Sequence, residues 1–144
     1  MTYIDAYGLV ALIANEAAAQ EVEELLRRDR CRVVAVNLAE VIDVAARTHG
    51  YPLGEIRAAV EPVILGGQLT VAISDESDAW LAAEIRASGY HRSKRPLSMA
   101  DCFLLAHALS TGEAVATSDP HVAEIARARG VTIIPLPDTD GTRP

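Results

Sequence analysis

Short apolar runs alternate along this chain with longer stretches in which apolar residues recur every three or four positions. Thr2–Ile4, Arg32–Ala35, Leu69–Ile73, Ala114–Thr117 and Thr132–Ile134 read as strands. The first, fourth and fifth are short and apolar, as strands covered on both faces are. Helical spacing fills the intervals. Glu21–Arg28 sets Val22, Leu25 and Leu26 on one face, and Ala39–Thr48 carries Val41, Ile42, Val44 and Ala45 before stopping near Gly50 and Pro52. A helix over Glu55–Leu65 contains Pro62, which predicts a kink or an early end. Asp78–Ala87 repeats Trp80, Leu81, Ala83 and Ile85, and Ala100–Leu109 is strongly apolar. Val122–Arg129 is amphipathic and ends at Gly130, a common helix stop. A further helix begins near Ala6, where Asp5 can cap it. This alternation predicts an α/β fold with a mainly parallel central sheet of about five strands, flanked by helices. The segment from Pro135 to Pro144, rich in proline, aspartate and glycine, reads as a flexible tail outside a domain of residues 1–134.

At 144 residues, half of them hydrophobic, the chain suits one domain with a substantial core. Thirteen basic against 20 acidic residues give a net charge of −7, which argues against a broadly basic nucleic-acid surface and suits a group of acids awaiting a cation. Cys31 and Cys102 form no CxxC or zinc spacing and read as reduced thiols. Asp5 interrupts the first apolar run, and no apolar stretch approaches the roughly 20 residues of a membrane span. The expectation is a soluble, cytoplasmic protein without a membrane partner. Only Gly8 follows the first strand, so no glycine-rich dinucleotide loop is present.

In parallel sheets, functional groups gather at the carboxyl ends of strands. Four acids fall there: Asp5 after the first strand, Glu40 in the helix after the second, Asp119 after Ala114–Thr117, and Asp101 opening the helix that follows the loop Gly89–Leu97. Each has a structural explanation. Asn37-x-x-Glu40 and Ser98-x-x-Asp101 resemble capping boxes, and Asp119 before Pro120 resembles an N-cap with proline in the first turn. Taken together they suggest more. Their neighbours are apolar, as in Tyr3-Ile4-Asp5-Ala6 and Met99-Ala100-Asp101-Cys102. Converging carboxylates repel one another unless a cation joins them, and an all-oxygen set selects a hard ion, Mg²⁺ or Mn²⁺.

Four segments carry a family resemblance: Tyr3-Ile4-Asp5-Ala6, Val36-Asn37-Leu38-Ala39-Glu40-Val41, Leu97-Ser98-Met99-Ala100-Asp101 and Thr117-Ser118-Asp119. In order and spacing they resemble the PIN-domain nucleases, and among these the VapC-type toxins of toxin–antitoxin pairs. The resemblance implies a three-layer α/β/α sandwich over residues 1–134 and a Mg²⁺-dependent endoribonuclease. It also implies an RNA substrate, a cognate antitoxin and a homodimer. Asp5, Asp101 and Asp119 are then the metal ligands. Glu40 completes the set, as ligand or as acceptor of a proton from the attacking water. Thr117 would orient Asp119, and Ser98 would hold the helix start that carries Asp101. One position departs from the pattern: where such families often place Ser or Thr, two residues after the first Asp, this chain has Tyr7.

The basic run His91-Arg92-Ser93-Lys94-Arg95 offers Arg92, Lys94 and Arg95 as RNA phosphate contacts. Asp43, one helical turn past Glu40, and His121, beside Asp119, are lesser candidates for the site's surroundings. Ser74-Asp75-Glu76 reads as a helix start, His107 faces away from Asp101, and Arg27, Arg28 and Arg30 read as a solvated helix end. Leu9–Ile13 serves either the core or a dimer interface. A PIN-like module that binds RNA or protein without cleaving is the alternative, and it would be marked by a lost acid. A phosphotransfer domain is disfavoured, because Asp5 is followed by Ala6 and Tyr7 and no lysine occurs after Lys94.

Overall fold

A computed structural model describes all residues, Met1–Pro144. The chain runs β1 (Thr2–Ile4), α1 (Ala6–Ala14), α2 (Ala19–Arg28), β2 (Cys31–Val34), α3 (Ala35–Arg47), α4 (Leu53–Leu65), β3 (Leu69–Ala72), α5 (Glu76–Gly89), α6 (Met99–Thr111), β4 (Ala114–Thr117), α7 (Pro120–Ala128) and β5 (Ile133–Pro135). The five strands form one sheet in the order β3-β2-β1-β4-β5, and every pairing is parallel.

Alternation within the strands sorts the core into two layers. Tyr3, Val34 and Val115 turn to one face, where they meet Ile85, Leu97, Leu104, Leu105 and Val122 from the α5, α6 and α7 side. Ile4, Val33 and Ala116 turn to the other face, packing with Leu9, Val10, Val22, Leu25 and Val41 from α1, α2 and α3. Full burial of each such Leu, Ile or Val is worth about 1.5–3 kcal/mol, so packing on both faces holds the sheet between its helices. The result is a three-layer α/β/α sandwich.

The strand order places a topological switch at its centre. From β1 the chain moves outward to β2 and β3, then returns to the other side of β1 for β4 and β5. The crevice beyond the carboxyl ends of β1 and β4 is where ligands bind in open sheets of this kind.

Several local expectations change. The helix expected over Ala39–Thr48 starts at Ala35, with Val34 as its N-cap and no side-chain cap. Asn37 therefore lies inside α3, wholly buried, and neither its Oδ1 nor its Nδ2 has a hydrogen-bond partner. Pro62 does not shorten α4. The helix runs on to Leu65, with Pro62 in its last turn, and Gly66 N–H donates to the Pro62 carbonyl.

β5 extends to Pro135, one residue beyond the expected domain end. The segment after it is laid against the body rather than drawn away from it. Leu136 is buried, its N–H donates to the Thr117 carbonyl, and Arg143 clamps both carboxylate oxygens of Glu21 at 3.0 and 2.6 Å. Cys31 and Cys102 are buried free thiols. No helix is long and apolar enough to cross a membrane.

Candidate active site

A cleft of about 440 Å³ opens at the switch point, and Asp5, Glu40, Asp101 and Asp119 all line it, with Ser98 beside them. Local chain chemistry fixes three of the four. Asp5 ends β1 as the N-cap of α1, with one carboxylate oxygen, Oδ1, accepting from Gly8 N–H at 2.7 Å. Asp101 closes a capping box with Ser98: its Oδ2 accepts from Ser98 N–H, and Ser98 Oγ accepts from Asp101 N–H, both at 3.0 Å. Asp119 caps α7, its Oδ1 accepting from His121 N–H at 2.7 Å and Val122 N–H at 3.3 Å. The capping reading of these three acids holds, and each still lines the cleft. One oxygen anchors the helix, while Asp101 Oδ1 and Asp119 Oδ2 receive no hydrogen bond from the chain. Glu40, half-buried on α3, has no hydrogen bond at either oxygen, so the expected Asn37–Glu40 capping box is absent.

The site is electrostatically strained. Burial pushes the Asp5 carboxyl up from 3.8 to about 7. Asp101 and Asp119 push the same way, while the Thr117 hydroxyl and Gly8 N–H pull it back. Burial also raises Asp101, with Asp119 adding to the shift. Glu40 is raised by burial first, then by the charges of Asp101 and Asp43. No basic group offsets any of these three. Thr117 is wholly buried and links the two strand-end acids: its Oγ1 accepts from Asp119 N–H at 2.9 Å and its hydroxyl steadies Asp5.

Desolvated carboxylates without a protein counter-ion are the donor set a hard divalent cation needs. No three of them stand at the mutual spacing of a closed cage.

Other expected residues lie elsewhere. Arg95 is committed to Glu124 at 2.9 Å and to the Gly89 carbonyl at 2.6 Å. Arg92 and Lys94 are exposed and do not line the cleft. Asp43 pairs with Arg47 at 2.9 Å on the surface. His121 contributes its backbone N–H to Asp119, while its side chain is outside the cleft wall. His107 packs away from the site, 2.9 Å from Ser74 Oγ and 3.4 Å from Asp78. Asp75 caps α5, as its sequence context suggests. Tyr7 lines the cleft with its hydroxyl buried and unpartnered.

The sequence reading missed Glu16, His49 and Thr139, which complete the cleft wall. No local motif marks them. They arrive through the ends of α1 and α3 and through the returning tail, contacts that periodicity does not encode.

An all-parallel sheet between two helical layers, with acids gathered at its switch point, defines the class. The PIN domain family profile matches residues 2–128, and this chain belongs to that family. Its structure is similar to VapC20 of Mycobacterium tuberculosis, described as a sarcin–ricin loop cleaving toxin: 18% identity, 92% of this chain and 97% of that one covered, TM-score 0.70. A DNA-bound VapBC from Salmonella typhimurium aligns at 24% identity over 92% of this chain and 96% of that one, TM-score 0.67. A toxin–antitoxin complex from Klebsiella pneumoniae aligns at 14% identity over 83% and 87%, TM-score 0.61. At these identities the likeness is one of fold. A search of curated proteins by sequence found no match.

Proposed function

We propose that this protein is a divalent-metal-dependent endoribonuclease of the VapC kind, the toxin of a toxin–antitoxin pair, acting in the cytoplasm. The carrying observation is that Asp5, Glu40, Asp101 and Asp119 share one cleft, three of them held above their ordinary carboxylate range with no cation to relieve them. Asp5, Asp101 and Asp119 are the residues to hold Mg²⁺, or Mn²⁺ in its place. Bound there, the ion would supply the Lewis-acid charge that polarises a phosphoryl oxygen and acidifies water. Glu40 accepts the water's proton: its raised affinity for protons makes it a stronger base than an ordinary exposed glutamate. Thr117 keeps Asp5 and Asp119 in fixed relation, and the Ser98 cap sets the start of α6 so that Asp101 faces the cleft.

The same reading seats the antitoxin between α3 and α4. α3 and α4 enclose a groove of about 510 Å³ lined by Leu38, Ile42, Leu53, Ile56, Val60 and Ile64, and Leu53 is 65% exposed. A groove of this character suits an amphipathic segment of a partner, and the Klebsiella relative is itself a toxin–antitoxin complex.

Purified free of partners, the protein is expected to cleave RNA with Mg²⁺ or Mn²⁺ and to stop on addition of EDTA. Asp101→Asn should lose cleavage while keeping its circular dichroism spectrum. In cells, expression should arrest growth unless the cognate antitoxin is co-expressed. An Asp101→Asn protein that cuts at the wild-type rate overturns the site. RNA binding without cleavage by the wild type would instead make this a binding module.

The homodimer belongs to the same reading. Ile73 and Trp80 expose 76% and 73% of their surfaces, apolar area that a second copy of the chain would cover. Light scattering is expected to give twice the 15.4 kDa chain mass, and a strictly monomeric mass at micromolar concentration counts against it.

A further inference from the structure

We propose that His49, held by Glu16, is the residue of the cleft that grips the RNA strand, its imidazole donating to a phosphate oxygen next to the bond being cut. The inference rests on the nuclease reading above. It starts from a charge problem: Asp5, Glu16, Glu40, Asp101 and Asp119 all line the cleft, and a polyanion must enter it. His49 is the only basic side chain in the cleft wall. Neighbouring cations are used elsewhere: Arg95 is bound to Glu124 and Gly89, Arg47 to Asp43, and Arg92 and Lys94 lie outside the cleft.

The geometry favours a substrate-facing ring. Glu16 Oε1 stands 3.6 Å from His49 Nε2, and the two side chains retain 22% and 27% of their exposure. Neither ring nitrogen makes a hydrogen bond within the chain, so a donor is left for a ligand. The Tyr51 ring lies nearly parallel to the imidazole, 6.2 Å away between ring centres.

Both partners sit where a helix stops. Asn15 takes the left-handed conformation at φ 53°, and Glu16 N–H returns to the Ala11 carbonyl at 2.9 Å. His49 N–H returns to the Val44 carbonyl at 3.3 Å, just before Gly50 turns the chain at φ 73°. Two rigid helix ends therefore present the pair.

Cleavage kinetics on a short single-stranded RNA with Mg²⁺ test this. His49→Ala and the similarly sized His49→Gln should raise KM roughly tenfold or more, the usual worth of one hydrogen bond to a charged group, with kcat changed much less. His49→Arg should recover most of the loss, and Glu16→Gln should fall between. Fluorescence anisotropy with the same labelled RNA, in an Asp101→Asn background that cannot cut, should show the same weakening. A simple clasp between α1 and α3 would lower the melting temperature and leave KM alone, and that result overturns the inference. An unchanged KM in a stable variant, or a fall in kcat alone, does so too. If the wild type itself cuts no RNA with metal, the nuclease reading fails first and this inference falls with it.

Discussion

Asp5→Asn is expected to abolish RNA cleavage and, in metal-free protein near pH 8, to make the fold more stable. The two effects share one cause. Asp5 is 4% exposed, and its carboxyl is pushed from 3.8 up to about 7, chiefly by burial. The folded protein therefore holds this proton more tightly than the unfolded chain does. Below about pH 4 the carboxyl is protonated in both states and costs nothing. As pH rises from about 4 to 7 the unfolded chain releases the proton first, so stability falls across that window and levels off above it. At 1.36 kcal/mol per pKa unit, the cost at pH 8 is about 4 kcal/mol. Asparagine carries no charge to desolvate, and its Oδ1 can still accept from Gly8 N–H, so the cap survives. For a chain of this length, melting without metal should rise by roughly 10 °C at pH 8 and scarcely change at pH 4. Cleavage should fall about 10³-fold, because a ligand worth several kcal/mol of transition-state charge stabilisation is gone. Differential scanning fluorimetry across pH, run in EDTA, reads the first effect, and a labelled-RNA assay with Mg²⁺ reads the second. An Asp5→Asn protein less stable than wild type at pH 8 would mean that the charge is satisfied by something other than metal.

The gain and loss at one residue also explain which parts of the site were legible in the sequence. Asp5, Asp101 and Asp119 were findable because each doubles as a helix cap. Capping has a local grammar: a small polar residue, a fixed offset, a proline or an apolar run behind it. The parallel sheet was legible for a similar reason, since period-2 alternation and short apolar runs are properties of the strand itself. Where the local grammar gave a false sign, tertiary packing had overruled it. Asn37 resembles a cap three residues before Glu40, yet α3 begins at Ala35, directly from the end of β2, and draws Asn37 into the interior. Arg95 resembles a phosphate contact, but Glu124, 29 residues away, claims it. Glu16 and His49 were invisible because their pairing spans 33 residues and depends on where two helices happen to stop. The segment after Pro135 reads as loose by composition. Its hold on the body comes from Leu136 and from Arg143 on Glu21, a contact across 122 residues that no local pattern announces.

Millimolar Mg²⁺ is expected to raise the melting temperature of the wild type, by an amount that grows with pH. The argument follows from the three carboxyl groups that burial and mutual repulsion hold above their ordinary range. A cation binding the folded cleft must displace whatever protons those groups retain, so its apparent affinity rises as the protons leave. At a metal concentration one hundred times the dissociation constant, linkage gives about 2.7 kcal/mol of stabilisation. That corresponds to a rise of roughly 5–10 °C for a domain of this length. The same titration at pH 5 should show a small shift, because Asp5 is then largely protonated in the fold. Na⁺ at matched ionic strength should reproduce little of it, since screening acts on exposed charges far more than on buried ones. Asp5→Asn and Asp101→Asn should each flatten the response while leaving the unliganded fold intact. Should Mg²⁺ and Mn²⁺ both leave the wild-type transition unmoved at pH 8, the carboxylates of this cleft do not bind a divalent ion in the folded protein, and the metal-dependent chemistry assigned to them has no foundation.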